Sequence, residues 1–164
     1  MNTRLLLQPA GCGKTFTIKK EIIGTLIDTT DNVITIQSTV FGKYNEYEFL
    51  INKNRGIVIS PINGINKDIN PRFISYDIFM ERDGLNFERY FVMALSDAFH
   101  RVINNSKNNI KTHIYIDEIG MYFIKNGVFE MIADFIEACK DYNCVITIAS
   151  QCKEEVERYF KPAV

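Results

Sequence analysis

Three short stretches of the sequence carry side chains that could do chemistry on phosphates. The first, GCGKT at 11–15, combines two glycines with a lysine and a threonine. Small residues let consecutive backbone N–H groups point inward at an anion, the lysine adds positive charge for the β- and γ-phosphates, and the threonine hydroxyl suits Mg²⁺. The residues expected to surround a bound nucleoside triphosphate are therefore Ala10, Gly11, Cys12, Gly13, Lys14, Thr15 and Phe16.

This loop departs from the usual phosphate-binding pattern at one position. Gln8 stands where the first glycine is expected. That glycine mainly eases the turn, and Gln8 can adopt the ordinary backbone conformation of a strand end. The loop therefore keeps every group that would bind phosphate or metal.

The other two stretches place polar residues directly after apolar strands. HIYIDEIG contains Asp117 and Glu118, and TIASQ ends in Gln151. The carboxyl ends of parallel strands share one crevice, so Asp117 is predicted to bind Mg²⁺, Glu118 to activate a water, and Gln151 to sense the γ-phosphate. The alternatives are a turn-capping Asp117, a Glu118 paired with a surface lysine, and a solvated Gln151. The sequence thus predicts an ATP (or other NTP) and Mg²⁺ site with Lys14, Glu118 and Gln151 catalytic and with Thr15 and Asp117 at the metal.

The elements that must position these residues alternate along the chain. Short apolar runs predict strands, and apolar residues at helical spacing predict helices between them. This order predicts an α/β fold, a mostly parallel β-sheet sandwiched by helices, in a single domain over residues 1–164. The predicted strands are 3–7, 33–36, 56–60, 113–117 and 144–150. The predicted helices follow the glycine loop and cover 46–51, 87–103, 128–140 and 153–160, and 61–85 has no assignment.

Two of these helices carry clear apolar stripes. The first stripe comprises Phe16, Ile18, Ile22, Ile23, Leu26 and Ile27, and the helix ends at DTTDN. The second runs from Phe87 to Ile103 and leaves Glu88, Asp97 and Arg101 off the apolar face. The first stripe predicts a helix, and the second predicts core packing, because a stripe of this width normally faces the interior.

Composition and charge narrow the class of protein. The chain has 164 residues and a net charge of −1, so it shows no broad electrostatic footprint for nucleic acid. Its four cysteines form no C-x-x-C pair, and neither histidine has metal-like spacing with them, which favours reduced, structural thiols over zinc. No apolar run approaches the roughly 18 residues of a membrane span, and the start does not resemble a signal peptide. We expect a cytoplasmic protein without membrane insertion.

The set GCGKT, IYIDE and TIASQ resembles P-loop NTPases of the RecA-like group with an added strand and a catalytic glutamate. It is most similar to the FtsK–HerA superfamily, in particular the ATPases of conjugative transfer and type IV secretion. These carry a Lys-rich helix after the loop, Glu-Tyr before a short helix, and a later Asn-Pro. Here GKTFTIKKEI, Glu46-Tyr47 and Asn70-Pro71 occupy the matching places. IQSTVF replaces the usual Asp-Pro after the second strand.

The resemblance implies a P-loop NTPase fold with a RecA-like core, in minimal or truncated form. It also implies an ATPase that moves DNA or protein as part of a ring or larger complex, with DNA or a secretion channel as partner. Ring motors supply an arginine from a neighbouring subunit, for which Arg89, Arg101 and Arg158 are candidates. The alternatives are a small monomeric nucleoside triphosphatase or nucleotide kinase, and a nucleotide-binding switch or scaffold with little turnover.

Overall fold

Six parallel strands form one sheet in the order β1-β6-β5-β2-β4-β3. The computed structural model describes residues 3–7, 13–40, 46–60, 69–80, 87–117, 127–150 and 156–157. The strands are β1 (Thr3–Leu7), β2 (Asn32–Val40), β3 (Ile57–Ile59), β4 (Phe73–Met80), β5 (Thr112–Asp117) and β6 (Cys144–Ser150). The helices are α1 (Lys14–Asp28), α2 (Glu48–Lys53), α3 (Phe87–Lys107) and α4 (Val128–Cys139). The predicted α/β fold with a parallel sheet between helices is confirmed.

The two faces of the sheet have different chemistry. Isoleucines at even-numbered positions of β2, β4, β5 and β6 lie in one core cluster with apolar residues of α3 and α4. Odd-numbered positions of the same strands face α1 and α2, and only some of them are apolar. The buried polar residues on this second face are Thr35, Gln37, Ser75, Asp77, Asp117 and Thr147. Because successive side chains of a strand alternate between faces, one polar set lies together on the side of α1.

The structure adds one strand that the sequence did not predict. β4 lies within the unassigned stretch 61–85 and pairs with both β2 and β3. Its sequence, FISYDIFM, interrupts an apolar run with Ser75 and Asp77. Buried parallel strands are normally continuous apolar runs. Ser75 and Asp77 break that run, so the sequence pattern did not indicate a strand here. The predicted helix at 153–160 lies outside the described residues except for 156–157.

The apolar stripe of α1 is only half buried. Ile18, Ile22 and Leu26 pack against the sheet. Phe16 and Ile27 are exposed, at 72% and 75%, and Ile23 is exposed as well. The helix predicted after the glycine loop is therefore confirmed, and only part of its apolar stripe faces the core.

Helix α3 buries two charged residues that the sequence placed off its apolar face. Asp97 and Arg101 form an ion pair with 2.8 Å between Arg101 Nε and Asp97 Oδ2. Tyr76 of β4 donates its hydroxyl to the same carboxylate, and Arg101 Nη1 donates to the carbonyl of Ile69 at 2.7 Å. Burial, followed by the hydrogen bond to Asp97, raises the pKa of Tyr76. Arg101 therefore fastens α3 to the sheet, and this burial argues against its use as an arginine for a neighbouring subunit.

Replacing Arg101 with methionine is expected to lower the free energy of unfolding by about 3–5 kcal/mol, because Asp97 would remain buried without its cation. Urea unfolding measures this loss. Arg4→Met is the matched control, since Arg4 pairs with Glu21 at 2.6 Å where both side chains are partly exposed. That change should cost at most about 1 kcal/mol. Equal losses in the two variants would contradict a structural role for Arg101.

Two of the four cysteines lie in the described part of the chain, and both are buried thiols. Cys144 Sγ donates to the carbonyl oxygen of Cys139 at 3.6 Å. The thiol contact with Cys144, together with burial, raises the pKa of Cys139. The expectation of buried, unpaired thiols is thus confirmed at these two positions, and Cys12 and Cys152 lie outside the described residues. None of the described helices has the length and apolar character needed to cross a bilayer.

Candidate functional site

The predicted site residues that the structure describes lie at the carboxyl edge of the sheet, where β5 ends at Asp117 and α1 begins after β1. Gly13, Lys14, Thr15, Phe16 and Asp117 are described there. The remaining predicted residues lie outside the described part of the chain: Ala10, Gly11, Cys12, Glu118 and Gln151. Their assignment stays a prediction from sequence.

The first turn of α1 lacks the residues that usually stabilise a helix N-terminus. Gly13 is the N-cap, with φ of 80° in the left-handed region, and it has no side chain with which to cap the helix. The following turn contains no acidic residue and begins with Lys14. A positive charge is unfavourable beside the partial positive charge of a helix N-terminus. An anion bound at this end would interact favourably with both Lys14 and the helix N-terminus.

A direct contact joins the first and second predicted motifs. Thr15 Oγ1 donates a hydrogen bond to Asp117 Oδ2 at 3.1 Å. Asp117 is buried at the end of β5, and Lys14, one residue before the threonine, is also buried at 5% exposure. Electrostatic attraction is stronger in such a shielded place than in bulk water. The fold therefore brings a lysine, a hydroxyl and a carboxylate to one crevice.

Tyr47 is a third partner in this contact, and the sequence did not predict its part. Its hydroxyl donates to Asp117 Oδ2 at 2.7 Å, and the residue is fully buried just before α2. The neighbouring Glu46 pairs with Lys19 of α1 at 3.0 Å. Two hydroxyls thus orient the same carboxylate oxygen. A tyrosine 70 positions before the aspartate gives no local signal that could have revealed the pairing.

A row of polar side chains crosses three strands at this edge. Gln37 of β2 is in register with Asp117 of β5 on one side and with Asp77 of β4 on the other. Residues in register on parallel strands point to the same face, so all three lie on the α1 side of the sheet. Gln37 and Asp77 were not predicted, because β4 and the strand order were unknown. Gln37 and Asp77 thus extend the row of polar side chains beyond Asp117.

The donor set at this edge fits Mg²⁺. A threonine hydroxyl and an aspartate carboxylate are hard oxygen ligands, and Mg²⁺ typically takes one or two such protein ligands beside phosphate oxygens and water. Thr15 and Asp117 already touch, so one ion can contact both residues with little movement of either element. The observed pairing supports the predicted metal ligands without requiring any further protein group.

A second concavity, of about 470 Å³, lies on the same face at the opposite end of α1. Two of its charged groups pair with each other, since Arg4 lies 2.6 Å from Glu21. Burial, followed by the charge of Glu21, raises the pKa of Tyr115 to about 12, so its phenol stays protonated at neutral pH. None of the described residues predicted for the nucleotide site lines this cavity.

Comparison of the chain with models of protein families, with curated proteins and with solved structures finds no match. The geometry of the carboxyl edge therefore provides the structural indication of function.

Proposed function

We propose that this protein binds ATP with Mg²⁺ and hydrolyses it as a P-loop ATPase, most similar to the motor ATPases of the FtsK–HerA superfamily. The hydrogen bond between Thr15 and Asp117 carries the proposal. In a P-loop site the loop hydroxyl and the strand-end carboxylate hold the same metal ion. Here Thr15 and Asp117, which lie on different elements and were predicted from two different motifs, are in contact.

The strand order supports the same proposal. β6 lies between β1, which precedes the glycine loop, and β5, which ends at Asp117. The resembled group is defined by an added strand and a catalytic glutamate, and β6 is a strand inserted between those two motif strands. A crevice at the carboxyl ends of such a sheet is the usual ligand site of open α/β folds.

Each residue then has a defined task in the reaction. The loop amides and Lys14 bind the phosphates, and Thr15 and Asp117 hold Mg²⁺, which supplies charge neutralisation on the phosphate oxygens when bound. Tyr47 keeps the Asp117 carboxylate oriented. Glu118 accepts the proton of the attacking water, and Gln151 contacts the γ-phosphate or that water. The products are ADP and inorganic phosphate.

Replacing Lys14 with alanine is expected to weaken ATP binding at least about tenfold, because it removes a charge-assisted contact to phosphate worth at least ~1.4 kcal/mol. Isothermal titration calorimetry with Mg²⁺-ATP measures the change.

Lys20→Ala is the matched control for this variant. Lys20 lies on the exposed side of the same helix and carries the same charge, so its removal should leave ATP affinity within about twofold. Unchanged affinity in Lys14→Ala, or equal losses in the two variants, would refute the assignment of the phosphate site.

A further inference from the structure

Gln37 has a buried amide that the fold does not use. Its side chain is 4% exposed near the carboxyl end of β2. Among the described residues its Nε2 is one of two buried side-chain atoms without a hydrogen-bond partner, the other being Thr35 Oγ1. Burying an amide N–H without an acceptor destabilises a protein, and such groups are rare in native structures. We therefore expect a bound ligand to supply the acceptor that this donor lacks.

The surroundings of Gln37 indicate what that ligand would be. Its strand neighbours, Asp77 and Asp117, are carboxylates, and the hydroxyls of Thr15 and Tyr47 already donate to Asp117. Gln37 is therefore a neutral donor in a row of acceptors. An anion that reaches this row needs such a donor, because the two carboxylates alone would repel it.

The strand order fixes which part of a nucleotide lies closest to Gln37. The glycine loop follows β1, the metal ligand Asp117 ends β5, and β2 with Gln37 is the next strand beyond it, about 4.8 Å further across the sheet. A triphosphate that runs from the loop toward the metal therefore has its terminal phosphoryl group nearest to Gln37.

We propose, on the basis of the ATP site proposed above, that Gln37 is a specificity residue that donates from Nε2 to an oxygen of the terminal phosphoryl group. It distinguishes ATP from ADP, because ADP lacks the acceptor. In the nucleotide-free protein the unpaired amide lowers stability, and binding of the triphosphate removes that cost.

Gln37→Met tests the proposal, because methionine has a similar length and no donor. Calorimetry in Mg²⁺ should show affinity for a non-hydrolysable ATP analogue at least about tenfold lower, and affinity for ADP within about twofold of wild type. The unfolding temperature of the nucleotide-free variant should be unchanged or higher, because an unpaired polar group has been removed. Gln37→Leu gives the same test if methionine does not fit.

Thr35→Val is the matched control. Thr35 is the other residue with an unpaired buried atom, on the same strand and face, and it lies one row away from the crevice in register with Ser75 and Tyr115. Its replacement should not lower the unfolding temperature and should leave both nucleotide affinities unchanged.

The outcomes separate this proposal from the function on which it rests. Wild-type protein that binds neither nucleotide refutes the ATP site, and this assignment with it. Wild-type binding with unchanged affinity for the ATP analogue in Gln37→Met refutes only the role of Gln37. Equal losses for ATP analogue and ADP, or a lower unfolding temperature, would make Gln37 a structural residue.

Discussion

ATP turnover by dilute protein is expected to be slow, and self-association or a partner should raise it by about 10³–10⁵. An arginine supplied to the γ-phosphate increases the rate of nucleoside triphosphate hydrolysis by a factor of this size. None of the loop, IYIDE and TIASQ motifs contains an arginine, so under the proposed function a single chain would leave part of the transition-state charge without compensation.

The structure reduces the number of arginines that could supply this charge. Arg101 is buried against Asp97, and Arg72 donates to the carbonyls of Leu26, Thr29 and Asp31 at the end of α1. Arg89 is exposed in the first turn of α3, which follows the carboxyl end of β4. It therefore lies at the same edge of the sheet as the candidate site, and we propose it as the donor to a neighbouring chain. Arg158 lies outside the described residues.

The measurement is specific ATPase rate against protein concentration, repeated with single-stranded and duplex DNA. Arg89→Ala should remove the stimulation and leave the basal rate of dilute protein unchanged. Arg55→Ala, at another exposed arginine, is the control and should retain the stimulation. A rate above roughly 1 s⁻¹ that is independent of concentration and of DNA would reject the motor and favour the monomeric triphosphatase.

Glu118→Gln is expected to bind ATP with normal affinity and to hydrolyse it about 10²–10⁴ times more slowly. Glutamine keeps the shape of the side chain but cannot accept the proton of the attacking water, and a positioned general base contributes a factor of this size. Glu118 follows Asp117, whose carboxylate is held by two hydroxyls. A single-turnover assay with protein in excess of ATP measures the chemical step separately from product release.

Glu137→Gln is the control for this change, since Glu137 is an exposed glutamate in the last turn of α4, near the start of β6. Its rate should stay within about twofold of wild type, because it removes the same charge at the opposite edge of the sheet from Asp117. If hydrolysis survives in Glu118→Gln, the glutamate is structural, and the resemblance to ATPases with a catalytic glutamate fails. A loss of ATP binding would instead place Glu118 among the groups that hold the nucleotide or its metal.

The sequence by itself determined most of the elements and the outer frame of the site. Apolar runs such as CVITIAS marked β6 correctly, and helical spacing marked α3 and α4, because these patterns are local consequences of burial on one or two faces. The motifs GKT and IYID predicted Thr15 and Asp117 as a pair. Their contact follows from a general property of parallel sheets, whose strand ends meet at one edge.

The tertiary structure alone decided which residues complete the site. Gln37 and Asp77 join Asp117 only because β2 pairs with both β5 and β4, and strand order is a long-range property that no local pattern encodes. Tyr47 reaches Asp117 from a separate element in the same way. Charged residues are expected at the surface when only the sequence is known. Asp97 and Arg101 are nevertheless buried, because they form an ion pair with each other. Apolar Phe16 is exposed because burial depends on what lies opposite a helix face, which the sequence of that helix does not contain.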